Sequence, residues 1–373
     1  MYFLIGADLV PTKSNWGIFS KGDVDTLIGE ELKELLDTAV FRVFNLEVPL
    51  TDNETPIPKC GPNLIAPRSC INGYQSMNVD VLTLANNHIL DQGKQGLRST
   101  VELLSEKGIN YFGAGENIEE ARKPYYFMFS EKKVGLIGYC QHEFSVAGTN
   151  TPGANMFDPI ESFDYIQDIS NYCDFLVVLY HGGVEHYRYP TPYLQRICRK
   201  MIDKGASLIV CQHSHCVGTV EKYSNGTIVY GQGNFLFDHQ DNEFWRNGVL
   251  VKVNEEFKVS YVPIIKKGHT VRMADSITKR EVLDGISKRS DEIMKDGFIE
   301  KKLKEYAVPK VEAYLGMFGG VESMLFRGMN KLLGNRLREY RVKKKYKERQ
   351  RLMIRNYIEC EAHRETIISG LEG

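Results

Sequence analysis

Ala206-Ser-Leu-Ile-Val210, continued by Cys211-Gln-His213-Ser-His215-Cys216, is the most informative stretch of this chain. Its first half is a short apolar run of the kind that predicts a buried β-strand. Two histidines one residue apart follow directly, where the strand would end. Imidazoles placed in this way can reach one ion, so the stretch predicts a metal site at a strand end.

A small zinc site completed by Cys211 and Cys216 is the alternative interpretation of these histidines. It lacks support elsewhere in the chain, because no second cysteine pair lies at finger-like spacing. The eight cysteines are scattered, and we expect them to be reduced thiols of a cytoplasmic protein rather than a disulfide framework.

The composition is that of an ordinary globular protein. The 373 residues are 42% apolar and 25% charged with a net charge of -1, which gives no general signal for nucleic acid binding. The opening segment has neither a basic region nor a small-residue cleavage site, and no stretch has about 18 uninterrupted apolar residues. We therefore expect a soluble cytoplasmic protein, with contact to the inner membrane face left open.

Residues 1 to about 270 alternate apolar strand-like runs with helical patterns, which indicates an α/β architecture. The predicted strands are Tyr2–Ile5, Phe41–Leu46, Val79–Ala85, Val134–Tyr139, Phe175–Tyr180, Leu208–Val210, Thr227–Tyr230 and Gly248–Val253. The predicted helices between them are Gly29–Leu36, Lys94–Lys107, Ile160–Asn171 and Pro192–Lys204. The Gly-, Pro- and Asn-rich segment Gly148–Pro159 is predicted to be a surface loop.

Potential ligands follow five of the predicted strands. In open α/β sheets this edge is where ligands bind, so the side chains are expected to converge. They are Asp8, Glu47, Asn87 with His88, His181, and His213 with His215. Taken singly, Asp8 could cap a turn, Glu47 could be a surface acid and His181 a hydrogen-bonded core residue. Their shared position at strand ends favours a metal centre over these separate roles.

Ala85-Asn86-Asn87-His88-Ile-Leu-Asp91 is the strongest single motif after the histidine pair. An amide oxygen beside an imidazole can supply a metal ligand and a general acid, and Asp91 could orient the ring. The other histidines are expected at the surface: His142, His186, His239, His269 and His363.

Seven segments in this order resemble the CapA family, the capsule and poly-γ-glutamate synthesis proteins with a calcineurin-like metallophosphatase fold. The resemblance covers roughly residues 3–265. The segments are Asn45–Thr51, Lys59–Pro67, Val79–Gly93, Gly113–Asn117, His181–Glu185, His213–His215 and Gly233–Asp238.

The resemblance implies a four-layer αββα sandwich of two mixed sheets with a C-terminal helical extension, and a centre of two divalent ions (Mn, Fe or Zn). The implied metal ligands are Asp8, Glu47, Asn87, His181, His213 and His215. His88, backed by Asp91, would be the general acid. Lys59, Glu185 and Asn234 match further motif positions and would line the substrate pocket.

Four departures from the family pattern bear on the site. Ala7 separates Gly6 from Asp8, where the family reads Gly-Asp, and this leaves the register of Asp8 open. Gly182 stands where the family often has Trp, and Gln212 where it often has His. Val10 stands where ordinary metallophosphoesterases read the His of Asp-x-His, which removes one expected ligand.

The resemblance predicts a CapA-like domain over 1–270, and the charged helical patterns that follow predict a helical extension over 271–320 and a basic amphipathic helical tail over 321–373. Long helices are expected over Ser276–Met294 and Glu300–Phe318, ending at Gly319-Gly320. Between Arg327 and Arg351 there are 11 Lys/Arg against two acids. The tail could therefore meet an anionic surface, although a solvated helix face is the plainer interpretation.

Three functions remain open from the sequence. The first is a metal-dependent hydrolase in which activated water attacks a phosphoester, amide or ester of an anionic polymer or its precursor. The second is a non-catalytic polymer-binding component of a capsule or polyglutamate synthesis or export assembly at the inner membrane face. The third, a nucleic-acid phosphodiesterase, is disfavoured because the tail has few aromatic residues for base stacking, and no specific nucleic acid is expected.

Overall fold

The computed structural model of the protein describes residues 1–237, 242–318, 324–334 and 336–371. These fall into two compact units, Met1–Ile299 and Glu300–Gly373. In the described part of the chain, no helix combines the length and apolar character needed to span a bilayer.

The strands all lie in the first unit. They are β1 Tyr2–Val10, β2 Phe41–Asn45, β3 Val81–Thr83, β4 Asn110–Phe112, β5 Ala114–Gly115, β6 Tyr125–Phe129, β7 Lys132–Cys140, β8 Gly153–Ala154, β9 Phe175–His181, β10 Leu208–Gln212, β11 Val220–Tyr223, β12 Gly226–Val229, β13 Asn234–Phe237, β14 Asn247–Asn254, β15 Val259–Lys267 and β16 Thr270–Met273.

The helices of the first unit are α1 Trp16–Lys21, α2 Val24–Ile28, α3 Glu30–Thr38, α4 Ile71–Ser76, α5 Gly93–Glu106, α6 Ile118–Ala121, α7 Ser162–Ser170, α8 Pro192–Asp203, α9 Glu243–Arg246 and α10 Ser276–Ile293. The later helices are α11 Phe298–Ala307, α12 Val311–Met317, α13 Met324–Leu332, α14 Arg336–Lys345, α15 Glu348–Glu359 and α16 Glu361–Leu371.

Two mixed sheets form the centre of the first unit. One has the order β16-β15-β14-β1-β2-β3-β4, with β13 also paired to β1, and the other has the order β11-β12-β10-β9-β7-β6. Within each sheet the site-bearing strands are parallel: β1 to β2 and β2 to β3, and β9 to both β7 and β10. Their carboxyl ends therefore share one edge.

Three apolar layers hold the sheets and helices together. The layer between the sheets contains Phe3 and Val43 from one sheet and Val177 and Val210 from the other. A second layer packs helices α1 to α5 on the outer face of the first sheet, and a third packs α7 and α8 on the second. The four-layer αββα sandwich and the C-terminal helices predicted from the sequence are thus confirmed.

Local sequence explains why these elements form. Strand β9 is a continuous apolar run because both of its faces are covered. Helix α8 begins after Thr191, whose side chain accepts a hydrogen bond from the Leu194 N–H, and Pro192 occupies the first turn. Helix α10 packs against β15 of one sheet and β11 of the other, and its Arg289 guanidinium donates to the backbone carbonyl of Gly218.

The structure corrects two sequence expectations. The segment Gly148–Pro159 is not simply a surface loop, because Pro152–Asn155 is buried and contains β8, which pairs with β5. The helix predicted over Glu300–Phe318 is interrupted between α11 and α12 at Pro309, which cannot donate a backbone hydrogen bond. The predicted break at Gly319-Gly320 lies outside the described residues.

Candidate metal centre

All six predicted metal ligands meet at the shared strand edge. Asp8 lies within β1, which is longer than predicted, and its register is fixed because it stands opposite Asn45 of β2 and Asn234 of β13. The others end or follow a strand: Glu47 after β2, Asn87 after β3, His181 at the end of β9, and His213 and His215 after β10.

Glu47 lies at the centre of the group. It combines with His181 and His213 in one set and with Asp8 and His215 in another, with the donor atoms of each set within 4.8 Å of one another. Its side chain is fully buried, and neither carboxylate oxygen has a hydrogen-bond partner among the described residues. The Nε2 atom of His181 lies 3.2 Å from Oε1, outside hydrogen-bonding geometry. A buried carboxylate without donors is costly unless a cation completes it.

Three atoms that could each bind a metal ion lie close to the Nε2 atom of His181. Asn87 Oδ1 lies 3.0 Å away, and Glu47 Oε1 and His213 Nδ1 each lie 3.2 Å away. One nitrogen cannot form hydrogen bonds with all three. Separations of about 3.0–3.5 Å are those between ligands that share an ion about 2.1 Å from each. Buried carboxylates and imidazoles in this arrangement fit a divalent cation.

The histidine pair is held by an unusual backbone. His213 has φ 81° and His215 has φ 52°, both in the left-handed region that non-glycine residues seldom adopt. This conformation brings both rings to the site. The Nδ1 atom of His215 lies 2.8 Å from Asn234 Oδ1 and 3.6 Å from Asp8 Oδ2.

Two buried asparagines, Asn45 and Asn86, position the candidate ligands through hydrogen bonds. The Asn45 amide donates to Asp8 Oδ1 over 2.8 Å and lies 3.2 Å from the Nδ1 atom of His181. Asn86 in turn donates to Asn45 Oδ1 and accepts from the backbone N–H of His88. These contacts fix ring and carboxylate positions before any ion arrives.

His88 and Asp91 form a second cluster beside the ligands. The Nδ1 atom of His88 lies 2.5 Å from Asp91 Oδ2, and the fully buried Asp91 also accepts from the Leu64 N–H over 2.6 Å. The ammonium of Lys59 pairs with Asp91 Oδ1 and lies 3.2 Å from His88 Nδ1. Asp91 thus occupies Nδ1 and leaves the other ring nitrogen of His88 for a ligand.

Burial and like charges shift the protonation of the ligands. Desolvation, reinforced by Glu47, raises the pKa of Asp8 to about 7. Desolvation likewise raises the pKa of Glu47 to about 8. Burial lowers the pKa of His215 to about 3 and depresses the pKa of His181 and His213, so the imidazoles are neutral at pH 7. Neutral imidazoles are the form that binds metal.

The predicted substrate-binding residues fall in different surroundings. Lys59 is buried against Asp91, with a side chain only 3% exposed. Asn234 is buried beside His215, and its Nδ2 atom has no hydrogen-bond partner in the described ranges. Glu185 is exposed, and its charge contributes to the raised pKa of Glu47. Of the three residues, only Glu185 is exposed.

Glu143 and Gln141 belong to the site but were missed in the sequence. Glu143 Oε2 accepts from the Asn87 amide over 3.0 Å, and its Oε1 accepts from Gln141 and lies 3.8 Å from His213 Nε2. Both residues follow β7, another parallel strand that ends at the same edge. The strand-end rule could have identified them.

His186 corrects the expectation that the unassigned histidines lie at the surface. It is half-buried, accepts a hydrogen bond from the indole N–H of Trp245 over 2.7 Å, and stacks on Phe244. The Trp245 ring lies 4.6 Å from the ring of His215, so these residues form an aromatic wall beside the ligands. His239 lies outside the described residues.

Two of the departures from the family pattern, Gln212 and Gly182, have structural explanations. The Gln212 side-chain amide points between the sheets and donates to the backbone carbonyl of Gly6 and to the side-chain Oε1 of Gln232. A Cβ atom added at Gly182 would lie 2.7 Å from the Tyr180 ring, so a larger residue does not fit there unless its neighbours move. Cys211 faces Cys198, with 3.8 Å between the sulfurs, and among the described residues no cysteine joins the ligand groups. The alternative of a small zinc site completed by Cys211 and Cys216 therefore has no support.

The chain was compared with known proteins. A 182-residue region is 29% identical to "Capsule biosynthesis protein CapA" of Bacillus anthracis, covering 47% of this chain and 44% of that protein. A 226-residue region is 28% identical to "PGA biosynthesis protein CapA" of Bacillus subtilis, covering 58% and 59%. The chain thus spans about half the length of these relatives.

Among solved structures, a phosphatase of Mycoplasma pneumoniae superposes with a TM-score of 0.44 at 14% identity, over 72% of this chain and 94% of that one. A likeness at this level says nothing about activity. The model of the family described as "Bacterial capsule synthesis protein PGA_cap" matches residues 6–239, well over half of the sequence. The protein therefore belongs to the PGA_cap family of bacterial capsule synthesis proteins, in agreement with its resemblance to CapA.

Proposed function

We propose that the protein is a metal-dependent hydrolase of the metallophosphoesterase type that acts in capsule, exopolysaccharide or poly-γ-glutamate synthesis. Its target would be a phosphoester, or an amide or ester, of an anionic polymer or precursor. The observation that carries the proposal is Glu47, a buried carboxylate without hydrogen-bond donors that is shared by two groups of potential ligands.

Each site residue has a role in this proposal. Glu47 would contribute to holding both ions, the first together with Asn87, His181 and His213 and the second together with Asp8 and His215. Divalent ions held there would polarise the scissile group and lower the pKa of water, the chemistry expected of Mn, Fe or Zn. These six side chains are buried, so they would hold the ions where bulk solvent is largely excluded.

His88 acts as the proton donor to the leaving group. Asp91 holds its Nδ1 atom and keeps the opposite nitrogen toward the substrate, while Lys59 balances the charge of Asp91. General acid catalysis of this kind contributes about 10²–10⁴-fold to a rate. Asp91 and Lys59 are therefore positioning residues.

The test combines metal analysis with ester turnover. Purified protein loaded with Mn²⁺ is assayed with p-nitrophenyl phosphate and its bis-ester. His213→Ala should lose bound metal and activity, whereas His88→Ala should keep the metal and lose at least about 100-fold in rate. His363→Ala, at an exposed position of α16, is the matched control. Equal activity in all variants would contradict the proposal.

A non-catalytic role in polymer binding is the second candidate. The names of the relatives favour it, since they refer to biosynthesis and, for a protein of Mycobacterium tuberculosis that is 28% identical over 228 residues, to a "probable polyglutamine synthesis accessory protein". In that case metal would bind and polyglutamate would bind, but none of the esters would be cleaved.

A further inference from the structure

Exposed apolar side chains are concentrated in the second unit. Of the 27 exposed large apolar side chains in the described part of the chain, 18 lie in this unit, which makes up about a fifth of the sequence. Its buried cluster is small and consists of Leu315, Val342 and Tyr346. The unit therefore leaves much of its apolar surface uncovered.

Helix α13 shows which part of that surface is organised. Leu325, Met329 and Leu332 recur at spacings of four and three residues and are 81%, 53% and 87% exposed, so they form one solvent-facing stripe. Another side of the same helix is fixed against α14. There the Asn330 side chain accepts from the Arg338 N–H over 2.9 Å, and the Arg341 guanidinium lies 4.5 Å from the centre of the Phe326 ring.

A strong positive charge accompanies the stripe. The segment from Arg327 to Arg351 has a net charge of +9. Lys343, Lys344 and Lys345 in the last turn of α14 are all exposed. An exposed aliphatic stripe on a helix within a strongly basic segment is the pattern of helices that lie in the interface of a bilayer.

We propose that the stripe of α13 and the lysines of α14 form a docking surface for anionic lipid membranes. The leucine and methionine side chains would enter the acyl boundary while the lysines contact lipid phosphates. A second copy of the chain fits poorly, because two segments of charge +9 would repel each other. Nucleic acid fits poorly as well, since it offers no acyl layer for aliphatic side chains. Every residue of this surface belongs to the second unit, so a failure of the hydrolase proposal leaves it standing.

The test is flotation of the full-length protein with vesicles of phosphatidylcholine, with or without about one third phosphatidylglycerol. Wild type should float with the anionic vesicles only, and less at high salt. Lys343→Gln/Lys344→Gln/Lys345→Gln should lower the partition coefficient on the order of a hundredfold, because each basic side chain changes it about fivefold. Leu325→Ser/Met329→Ser/Leu332→Ser should lower it at least about tenfold.

Matched control variants distinguish docking through this surface from nonspecific adsorption of exposed apolar or basic side chains to vesicles. Met128→Ser/Ile160→Ser/Ile277→Ser removes three exposed apolar side chains from the first unit, and Lys94→Gln/Lys107→Gln/Lys123→Gln removes three exposed lysines there. Both controls should float like wild type. No flotation, equal flotation with neutral vesicles, or wild-type flotation of either α13 or α14 variant would overturn the proposal. A concentration-dependent dimer lost in the α13 variant would instead identify a second copy as the occupant.

Discussion

Glu47 destabilises the metal-free protein because its carboxyl group is buried without donors, so that folding forces it to take up a proton. The unfolded chain ionises it near its usual pKa of 4.5, whereas the folded protein holds the proton up to about pH 8. An uncharged residue of the same shape avoids this cost. The same substitution removes the only residue common to both ligand groups found among the described residues.

We therefore expect Glu47→Gln to separate stability from metal binding. In EDTA at pH 8, urea unfolding should show the variant more stable than wild type by on the order of 2 kcal/mol. With Mn²⁺, wild type should gain stability and the variant should gain almost none. Glu255→Gln, whose side chain is 51% exposed, is the control and should behave like wild type. A destabilised variant that still responds to Mn²⁺ would contradict this role of Glu47.

Lys59 and Asp91 form a buried pair whose members depend on each other. Lys59→Met should cost about 3 kcal/mol, because it leaves Asp91 buried without its cation. In an Asp91→Asn background the same substitution should cost less than half as much, which a double-mutant cycle of urea unfolding measures. Additive losses would show that the two side chains act independently.

At the level of elements, β1 tolerates little change next to Asp8. A Cβ on Gly6 would lie 2.0 Å from the buried Phe44 ring, whereas a Cβ on Gly17 of α1 would meet nothing within 4 Å. Gly6→Ala should cost about 1–3 kcal/mol or more and weaken Mn²⁺ binding, because Asp8 is carried on the same strand. Gly17→Ala should be neutral or stabilise the protein by up to about 1 kcal/mol. Equal effects of the two variants on unfolding and Mn²⁺ titration would be inconsistent with this packing.

The elements also show how far sequence patterns reach. Strands such as β9 and β10 were predicted because each contains a continuous apolar run, and the residues at their ends were predicted to be metal ligands. Strand β13 was missed, since Gly233-Asn-Phe-Leu-Phe237 is short and begins at a glycine with φ 72°. The role of Asn45 was missed because it depends on tertiary contacts with Asp8 and His181 that no local pattern encodes.

For the molecule as a whole, we propose that the independently folding unit that carries the candidate metal site extends through Ile299 rather than ending near residue 270. Helix α10 buries Val282, Ile286 and Ile293, and the first compact unit runs to Ile299. A chain of residues 1–299 should unfold cooperatively and bind Mn²⁺. A chain of residues 1–270 should lose on the order of 5 kcal/mol, because it exposes the surface that these side chains cover. Equal stability of the two chains in urea would favour the shorter boundary.

The whole molecule should also change its pH response when metal is removed. The raised pKa values of Asp8 and Glu47 mean that the folded protein holds protons that the unfolded chain has released, so these groups lower stability as pH rises. The depressed pKa values of the three ligand histidines act in the opposite direction, but only below about pH 6.5. In EDTA, stability should therefore fall by on the order of 2 kcal/mol between about pH 6.5 and 8.

Saturating Mn²⁺ should remove that fall in stability, because bound ions would keep the same carboxylates unprotonated in the folded protein. Urea unfolding at the two pH values, with EDTA or Mn²⁺, measures both slopes. Glu47→Gln should flatten the EDTA profile. A metal-free protein that gains stability over this pH range would show that the buried carboxylates are ionised in the fold.

The central position of β1 sets the order in which the chain can mature. This strand precedes its partners by a long stretch of chain, because β13 begins at Asn234 and β14 ends at Asn254. Asp8 must wait through the synthesis of more than 220 further residues before its surroundings exist. Pairing across such sequence distances is slow. We therefore expect the candidate metal site around Asp8 to form late in folding, only after strands of both sheets have paired.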